Sequence, residues 1–300
     1  MTTMLFFELI QVAMGNRRVL SRIPSVDEWT EIYETAKKQA LMGLSFAGVE
    51  RLSQAVGSEE TQAESGHTPS EEGGGQLPPP RMIRQWAVKA DRIRELNARL
   101  DEECVKVSRF FEDNGFDAVI LKGQANCAYY PERLQGLRTA GDIDVWVAPS
   151  ESSGGKADCP VRTVIEFCLS KAKGKYLFYH NMDFPMLKNT VVEVHYRPTW
   201  LFCPWRNARL QKWLRAFAPA ASVREGSHAC GVTTSPRNVF KGFRVEPLEF
   251  NVVFQLLHLY KHIFEEGIGL RQLIDYYFVL SAYAEKVETD LKDSSDAPAI

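Results

Sequence analysis

The chain of 300 residues is 45% apolar and 25% charged, a composition typical of a soluble globular protein with one large domain or two modest ones. Its 36 Lys and Arg residues nearly balance its 38 Asp and Glu residues, which excludes an overall basic field that gathers nucleic acid and leaves only a local basic groove. The six cysteines are scattered without a C-x-x-C pair, which is typical of reduced thiols, so we expect a cytoplasmic protein. Because no apolar stretch reaches the roughly 20 residues that span a bilayer, we expect no membrane partner.

The first part of the chain predicts helices separated by a polar stretch. The apolar start over residues 1–18 predicts a short amphipathic helix, and Ser25 with Glu28 forms a capping box that begins a helix continuing to residue 52. Residues 56–80 are Glu, Gly, Ser and Pro with almost nothing to bury, which predicts a disordered linker or a solvated excursion. A long amphipathic helix follows over residues 82–113.

The middle of the chain changes from helical spacing to short apolar runs. Its predicted order is a strand ending at Gly123, short helical turns, a strand over 142–149, a helix over 161–174, and two strands joined by a turn at 187–190. This order of strand, helix, strand, helix, strand, strand defines a small α/β unit over residues 117–198.

The last third returns to helices. One is predicted over 204–218, with Trp205, Trp213 and Phe217 as its core stripe, and two more over 246–287 with a break at Gly267–Gly269. We therefore predict an N-terminal helical region (1–55), a linker or insertion (56–80), an α/β core with its leading helix (81–200) and a C-terminal helical region (201–300).

Two aspartates at the start of the second strand pose a question of charge. Asp142 and Asp144 are two positions apart and therefore project from the same face of a strand. Two carboxylates that close repel each other and are costly to bury, so a positive group must lie between them. That group is either an arginine, for which Arg138 is the nearest candidate, or a metal ion.

Further residues of the α/β unit favour the metal ion. Alternation places Glu193 and His195 on one face of a later strand, and three carboxylates on neighbouring strands are the hard oxygen ligands that Mg²⁺ or Mn²⁺ prefers. Gly123 lets a phosphate approach backbone N–H groups, while Lys122 either touches that phosphate or only extends from the strand end. Two metal ions can clamp the attacking and leaving oxygens of a phosphoryl or nucleotidyl displacement.

Residues 119–147 resemble the signature of the uncharacterised nucleotidyltransferase family, which lies within the polymerase-β-like superfamily. The matching positions are Leu121-Lys122-Gly123, Tyr130-Pro131, Arg138 and Gly141-Asp142-Ile143-Asp144, followed by Glu193-Val194-His195-Tyr196. His180 and the helical segment Gly269–Tyr277 are also similar to parts of the family pattern.

The resemblance implies an α+β fold, namely a polymerase-β-like nucleotidyltransferase core of a small mixed sheet with helices, flanked by N- and C-terminal helical regions. It implies transfer of a nucleoside monophosphate from an NTP to an unidentified acceptor, with release of pyrophosphate. The implied catalytic and metal residues are Asp142, Asp144 and Glu193, with Mg²⁺ or Mn²⁺, and the implied phosphate-binding residues are Lys122, Gly123 and Arg138. The chain departs from the wider superfamily at Gln124, where a serine or a glycine is usual.

The departure at Gln124 keeps a rival function open. A catalytically inactive module of the same fold, which binds nucleotide or another protein, also fits the sequence. The acceptor is expected to be a small molecule or a partner protein such as an antitoxin, which the enzyme would modify. We do not expect nucleic acid as acceptor, because the helical segments show no dense Lys/Arg run interleaved with aromatic residues.

The last helices carry further chemical groups. His258 and His262 are four residues apart on one helix face, a spacing that can hold zinc, but Leu259 stands where a catalytic Glu would follow and no third ligand is evident. Lys261 and Arg271 are predicted to lie on solvated or domain-facing surfaces, from which either could reach the triphosphate.

Overall fold

The computed structural model describes residues 2–63, 77–150, 159–172, 177–217, 239–265 and 267–295. The helices are α1 (Thr2–Met14), α2 (Val26–Lys38), α3 (Met42–Ala63), α4 (Pro80–Asp113), α5 (Lys122–Asn126), α6 (Glu132–Gln135), α7 (Pro160–Lys171), α8 (Pro204–Arg215), α9 (Leu248–Glu265) and α10 (Leu270–Ser295). The strands are β1 (Phe116–Leu121), β2 (Ile143–Pro149), β3 (Asn181–Asp183), β4 (Val192–His195), β5 (Val239–Phe240) and β6 (Phe243–Arg244).

The chain divides into two compact units. The first comprises residues 1–98, 131–139 and 269–271, and the second comprises residues 99–130, 140–268 and 272–300. The four-part division expected from the sequence stays a prediction. Of its linker, residues 64–76 lie outside the described residues, while α3 continues to Ala63 and α4 begins at Pro80.

The first unit is a packed group of helices. Trp29 and Trp86 are fully buried in it, and the Trp86 indole Nε1 donates a hydrogen bond to the backbone oxygen of Met42 at 2.9 Å. Helices α1 and α3 approach closely at Gly48, where a Cβ would lie 2.6 Å from the backbone oxygen of Leu9. A side chain at that position would therefore push the two helices apart.

The helix expected from Ser25 to residue 52 is in fact two helices, α2 and α3. The predicted capping box is confirmed, because the Ser25 hydroxyl accepts from the Glu28 backbone and the Glu28 side chain accepts from the Ser25 backbone. Helix α2 ends because Ala40 has a φ of 55°, in the left-handed region that an α-helix cannot continue through. Alanine gives no sequence signal for such a break.

The second unit is built on a four-stranded mixed sheet in the order β1-β2-β4-β3. The β1–β2 and β4–β3 pairs are antiparallel and the β2–β4 pair is parallel. The predicted order of strands and helices is therefore confirmed, and with the flanking helices it makes the expected α+β fold. A two-stranded β5–β6 hairpin is an element that the sequence pattern did not predict.

Helices cover both faces of this sheet. On one face, aromatic rings from α4, β1 and α7 meet, with the ring centroids of Phe116 and Phe167 4.7 Å apart. On the other face, Trp146 of β2 stacks on Phe250 of α9 with centroids 5.7 Å apart. This second face, which α8 and α9 cover, carries the polar residues described below.

The predicted core stripe of α8 is only partly correct. Trp213 and Phe217 pack against the buried cluster around Phe250, as expected. Trp205 is 82% exposed, so its assignment to the core was wrong. The break between α9 and α10 near Gly267 is confirmed. No helix in the described residues has the length and apolar character needed to cross a membrane.

Candidate functional site

Strand register brings an aspartate and a glutamate side by side in the second unit. In the parallel β2–β4 pair, Asp144 lies opposite Glu193 and Trp146 lies opposite His195. Since alternate residues of a strand share a face, Glu193 and His195 project together. One ligand atom from each of Asp144, Glu193 and His195 lies within 4.8 Å of the other two.

Asp144 is the most enclosed of these groups. It is 2% exposed, and its Oδ1 lies 2.7 Å from the Lys122 Nζ and 2.8 Å from the His195 Nε2. Burial alone would raise the pKa of Asp144, but the charge of Lys122 and the hydrogen bond with His195 outweigh it and hold the pKa well below its usual range. The carboxylate is therefore ionised at neutral pH.

Glu193 lies near the same imidazole nitrogen as Asp144. Its Oε2 accepts a hydrogen bond from Asn181 Nδ2 at 2.6 Å and lies 3.7 Å from His195 Nε2. The interaction with His195 lowers the pKa of Glu193 against the opposing effect of burial. Burial acts to lower the pKa of His195, yet Asp144 and Glu193 together raise it above its ordinary value. The Nε2 of His195 thus lies close to both carboxylates, whose negative charges favour the protonated form of the ring.

The second nitrogen of His195 indicates what this residue does. Nδ1 is buried and has no hydrogen-bond partner among the described residues. A metal-ligating histidine almost always donates its other ring N–H to an acceptor, which fixes the tautomer. Because Nδ1 lacks that acceptor, His195 fits the part of a donor that positions Asp144 and Glu193 better than that of a ligand.

Lys122 and Gly123 form a tight turn where β1 passes into α5. Both residues have a left-handed φ, of 45° and 30° respectively, and a Cβ on Gly123 would lie 3.5 Å from the Asp142 backbone oxygen. Burial would lower the pKa of Lys122, but Asp144 outweighs it and raises the pKa, so the ammonium stays charged. The next residue, Gln124, is buried and donates from Nε2 to Asp101 Oδ1 at 2.6 Å.

Two predicted site residues lie differently from that cluster. Asp142 is exposed and precedes β2, and it belongs to no three-residue group of ligand atoms within 4.8 Å among the described residues. Desolvation and then the charge of Asp144 raise its pKa. Arg138 belongs to the first unit, where it is buried and its backbone oxygen accepts from Asn97 Nδ2 at 2.8 Å.

Groups from β3 and α9 complete the surroundings. The ring centroids of His180 and His195 are 5.5 Å apart, and burial, followed by the charges of His195 and Lys261, lowers the pKa of His180 to about 3. Burial, followed by the charge of Lys122, also lowers the pKa of His258 well below its ordinary value. Sequence reasoning missed Asn181, although its place opposite His195 in the β3–β4 pair could have indicated it.

The donor set fits a divalent cation. Asp144 and Glu193 supply hard carboxylate oxygens, and both groups are already ionised because their pKa values are lowered. The Lys122 ammonium at 2.7 Å from Asp144 shows that this position attracts a cation. In this structure the direct positive partner of Asp144 is therefore a lysine.

The chain belongs to the uncharacterised nucleotidyltransferase family. A family model with that description matches residues 25–293, which is most of the chain and includes all the residues of the site. The family expected from the Lys122–Gly123 and Asp142–Asp144 motifs is thereby confirmed. No curated protein and no solved structure matches the chain significantly.

Proposed function

We propose that the protein is a metal-dependent nucleotidyltransferase that moves a nucleoside monophosphate from an NTP to an acceptor. The observation that carries the proposal is the placement of Asp144 opposite Glu193 on adjacent parallel strands, with His195 between them. Membership of a nucleotidyltransferase family supports the same chemistry. The scattered cysteines favour the cytoplasm as the place of action.

Asp144, Glu193 and Asp142 are proposed to hold Mg²⁺ or Mn²⁺. When bound, the ion neutralises phosphate charge and lowers the pKa of the acceptor hydroxyl. His195 positions Asp144 and Glu193 through its Nε2, at 2.8 and 3.7 Å. Asp142 is the exposed member of the three carboxylates, so we assign it the proton of the acceptor hydroxyl.

The transfer itself is an in-line displacement at the α-phosphorus of the NTP. The acceptor oxygen forms a bond to this phosphorus as the bond to the oxygen that bridges the α- and β-phosphates breaks, and pyrophosphate leaves. Lys122 and the backbone of Gly123 are the groups proposed to neutralise and orient the triphosphate. In this role the Lys122 ammonium leaves the Asp144 carboxylate and binds a phosphate oxygen instead.

Two contacts favour a second candidate, a module that binds nucleotide without turning it over. Lys122 neutralises Asp144 directly, and the side chain of Gln124, which stands at the usual serine position, bonds to Asp101. If Lys122 never leaves Asp144, a metal ion has to compete with it. Tight NTP binding without metal dependence and without pyrophosphate release is the expected behaviour of such a module.

Calorimetric titration with NTPs, with and without Mg²⁺, tests the proposal. The variants are Asp142→Asn/Asp144→Asn and, as a control, Asp113→Asn, an exposed carboxylate at the end of α4 in the same unit. We expect Mg²⁺-dependent NTP binding in the wild type and the control and its loss in the double variant. Equal binding by all three proteins would refute the metal site and favour the inactive module.

A further inference from the structure

Helix α8 presents an exposed basic face that carries a tryptophan. At about 100° per residue, Arg209 lies about 40° and Lys212 about 20° from Trp205 around the helix axis, so the three side chains share one face. All three are exposed, and α8 contains no acidic residue. Neither Arg209 nor Lys212 forms an ion pair within the described part of the chain. We call Trp205, Arg209 and Lys212 the basic–aromatic face.

Two further exposed aromatic rings lie near the candidate active site. Phe202 is 74% exposed and Tyr179 is 71% exposed, and their rings meet edge-on with centroids 6.4 Å apart. Tyr179 directly precedes His180, whose ring centroid is 5.5 Å from that of His195. Arg197 Nη1 donates to the Tyr179 backbone oxygen at 3.3 Å and so supports this loop.

We propose that the basic–aromatic face, with Phe202 and Tyr179, binds a single-stranded nucleic acid, whose end is the acceptor of the proposed transfer. Exposed aromatic rings stack on bases of any sequence, and arginine and lysine beside them neutralise the phosphates. Phe202 contacts Tyr179, and Tyr179 adjoins His180 in the chain, so these aromatic residues connect the surface to His195. The binding rests on the surface alone, whereas the acceptor role also rests on the proposed function.

Charge and burial favour a nucleic acid over an anionic membrane. A helix that lies in a membrane interface must bury its apolar face in lipid. The apolar face of α8 is already used within the unit, because Leu214 is buried and Trp213 packs on Phe250. What remains exposed on α8 is Trp205 with four cations, namely Arg206, Arg209, Lys212 and Arg215, which offers lipid little apolar surface to bury. The expectation against nucleic acid rested on the absence of a dense Lys/Arg run interleaved with aromatic residues, whereas the structure brings an exposed Trp205 onto one helix face with Arg209 and Lys212.

The test is the fluorescence anisotropy of labelled single-stranded RNA and DNA of about 16 nucleotides, with the full chain in EDTA, between about 50 and 200 mM salt. We expect Trp205→Ala to weaken binding by at least about fivefold, the low end of a lost base stack. Arg209→Ala/Lys212→Ala is expected to reduce the slope of log K against log salt by about 1.4, which corresponds to two phosphate contacts on a single strand.

Lys106→Ala/Arg109→Ala is the matched control. It removes from α4, in the same unit, two exposed cations that have the same three-residue spacing. Its affinity and salt slope should equal those of the wild type. Binding to either strand type supports the proposal, and the tighter of the two identifies the nucleic acid. Three results would overturn it: no saturable binding at the lowest salt, equal losses in the control, or tighter binding to anionic vesicles than to either oligonucleotide.

Asp144→Asn separates this inference from the proposed function. The substitution lies in the metal site, so oligonucleotide binding in EDTA should be unchanged while Mg²⁺-dependent NTP binding is lost. Oligonucleotide binding by a wild type that binds no NTP would leave the surface standing and refute the transferase. Metal-dependent NTP binding by a wild type that binds no oligonucleotide would refute the surface alone.

Discussion

Replacing Lys122 with methionine tests the contact at the centre of the site. The substitution keeps most of the aliphatic volume but removes the ammonium 2.7 Å from Asp144, which leaves a carboxylate that is 2% exposed with one fewer cation. Removal of one partner from a buried ion pair costs about 3–5 kcal/mol. Because His195 still contacts Asp144 at 2.8 Å, we expect the low end, about 3 kcal/mol in the absence of metal. That corresponds to a fall in Tm of about 6–12 °C.

Added metal should reverse this loss. In the wild type an ion must displace Lys122 from Asp144, whereas in Lys122→Met the position is open, so we expect Mn²⁺ to bind at least about tenfold tighter, a difference of about 1.4 kcal/mol. NTP binding should weaken in the same variant, because an ammonium for the triphosphate is lost. Thermal unfolding with EDTA and with Mn²⁺, together with spin-resonance titration of free Mn²⁺, measures these effects.

The matched control is Lys106→Met, the same change at an exposed lysine of α4, which should alter the unfolding free energy by no more than about 0.5 kcal/mol. The reasoning is refuted if Lys122→Met is as stable as this control in EDTA. It is also refuted if Mn²⁺ stabilises the variant no more than the wild type. The first result would mean that Asp144 does not depend on Lys122, and the second that a metal ion does not take the place of its ammonium.

Three further predictions concern pH, thiols and helix packing. Burial lowers the pKa of His180 to about 3 in the folded chain. As pH falls from about 6.5, the unfolded chain therefore takes up a proton that the folded chain does not, and the free energy of unfolding falls. In urea unfolding with EDTA, this free energy should fall less steeply with pH for His180→Gln than for the wild type, and an equal dependence on pH would contradict the low pKa. Iodoacetamide should label the exposed Cys203 but not Cys168, whose burial raises its pKa to about 12; equal labelling in peptide mass maps would be incompatible with that burial. Gly48→Ala should lower the unfolding free energy by about 2 kcal/mol through overpacking. In the control Gly136→Ala the new Cβ would lie 3.7 Å from the Arg94 side chain, an ordinary contact distance, so its stability should stay near that of the wild type. Similar Tm values for both variants would argue against the close approach of α1 and α3.

The sequence predicts the fold well where local patterns decide it. The short apolar runs predict the strands. Amphipathic spacing after the polar stretch predicts α4, and the glycines at 267 and 269 predict the break between the last two helices. The break at Ala40 is not predictable, because its left-handed φ follows from packing and alanine carries no local preference for it. The β5–β6 hairpin has only two residues per strand, which is too short for any periodicity.

Of the three predicted acids, the structure brings Asp144 and Glu193 together, while Asp142 lies outside their group. Strand alternation identifies Asp144, Glu193 and His195, but their pairing partners depend on register across the sheet. Leu121 pairs with Asp144 in the antiparallel β1–β2 ladder, which brings Lys122 to that carboxylate. From the sequence alone, the positive partner of Asp144 is either an arginine or a metal ion. The pairing across the sheet instead supplies Lys122, from the end of the neighbouring strand.

The position of Trp205 follows from helical phase, which the sequence does contain. Leu210, Trp213, Leu214 and Phe217 recur at the spacing of one helix face. Trp205 lies about 140° from Leu210 and about 120° from Phe217 around the axis, which places it outside that face. The apolar character of Trp205 suggested a core position, whereas its angle around the helix axis excludes one.

Lys122 connects the two candidate functions of the site. Its ammonium neutralises Asp144 from a turn in which both Lys122 and Gly123 have a left-handed φ. The four-carbon stem of the lysine can still redirect the ammonium by rotation about its own bonds. A lysine that moves to phosphate when metal binds makes Asp144 available as a ligand and gives a transferase. A lysine that stays makes the same carboxylate part of a structural ion pair and gives a binding module. The opposite signs expected for Mn²⁺ and NTP affinity in Lys122→Met distinguish these two cases, because a purely structural lysine would change stability without weakening NTP binding.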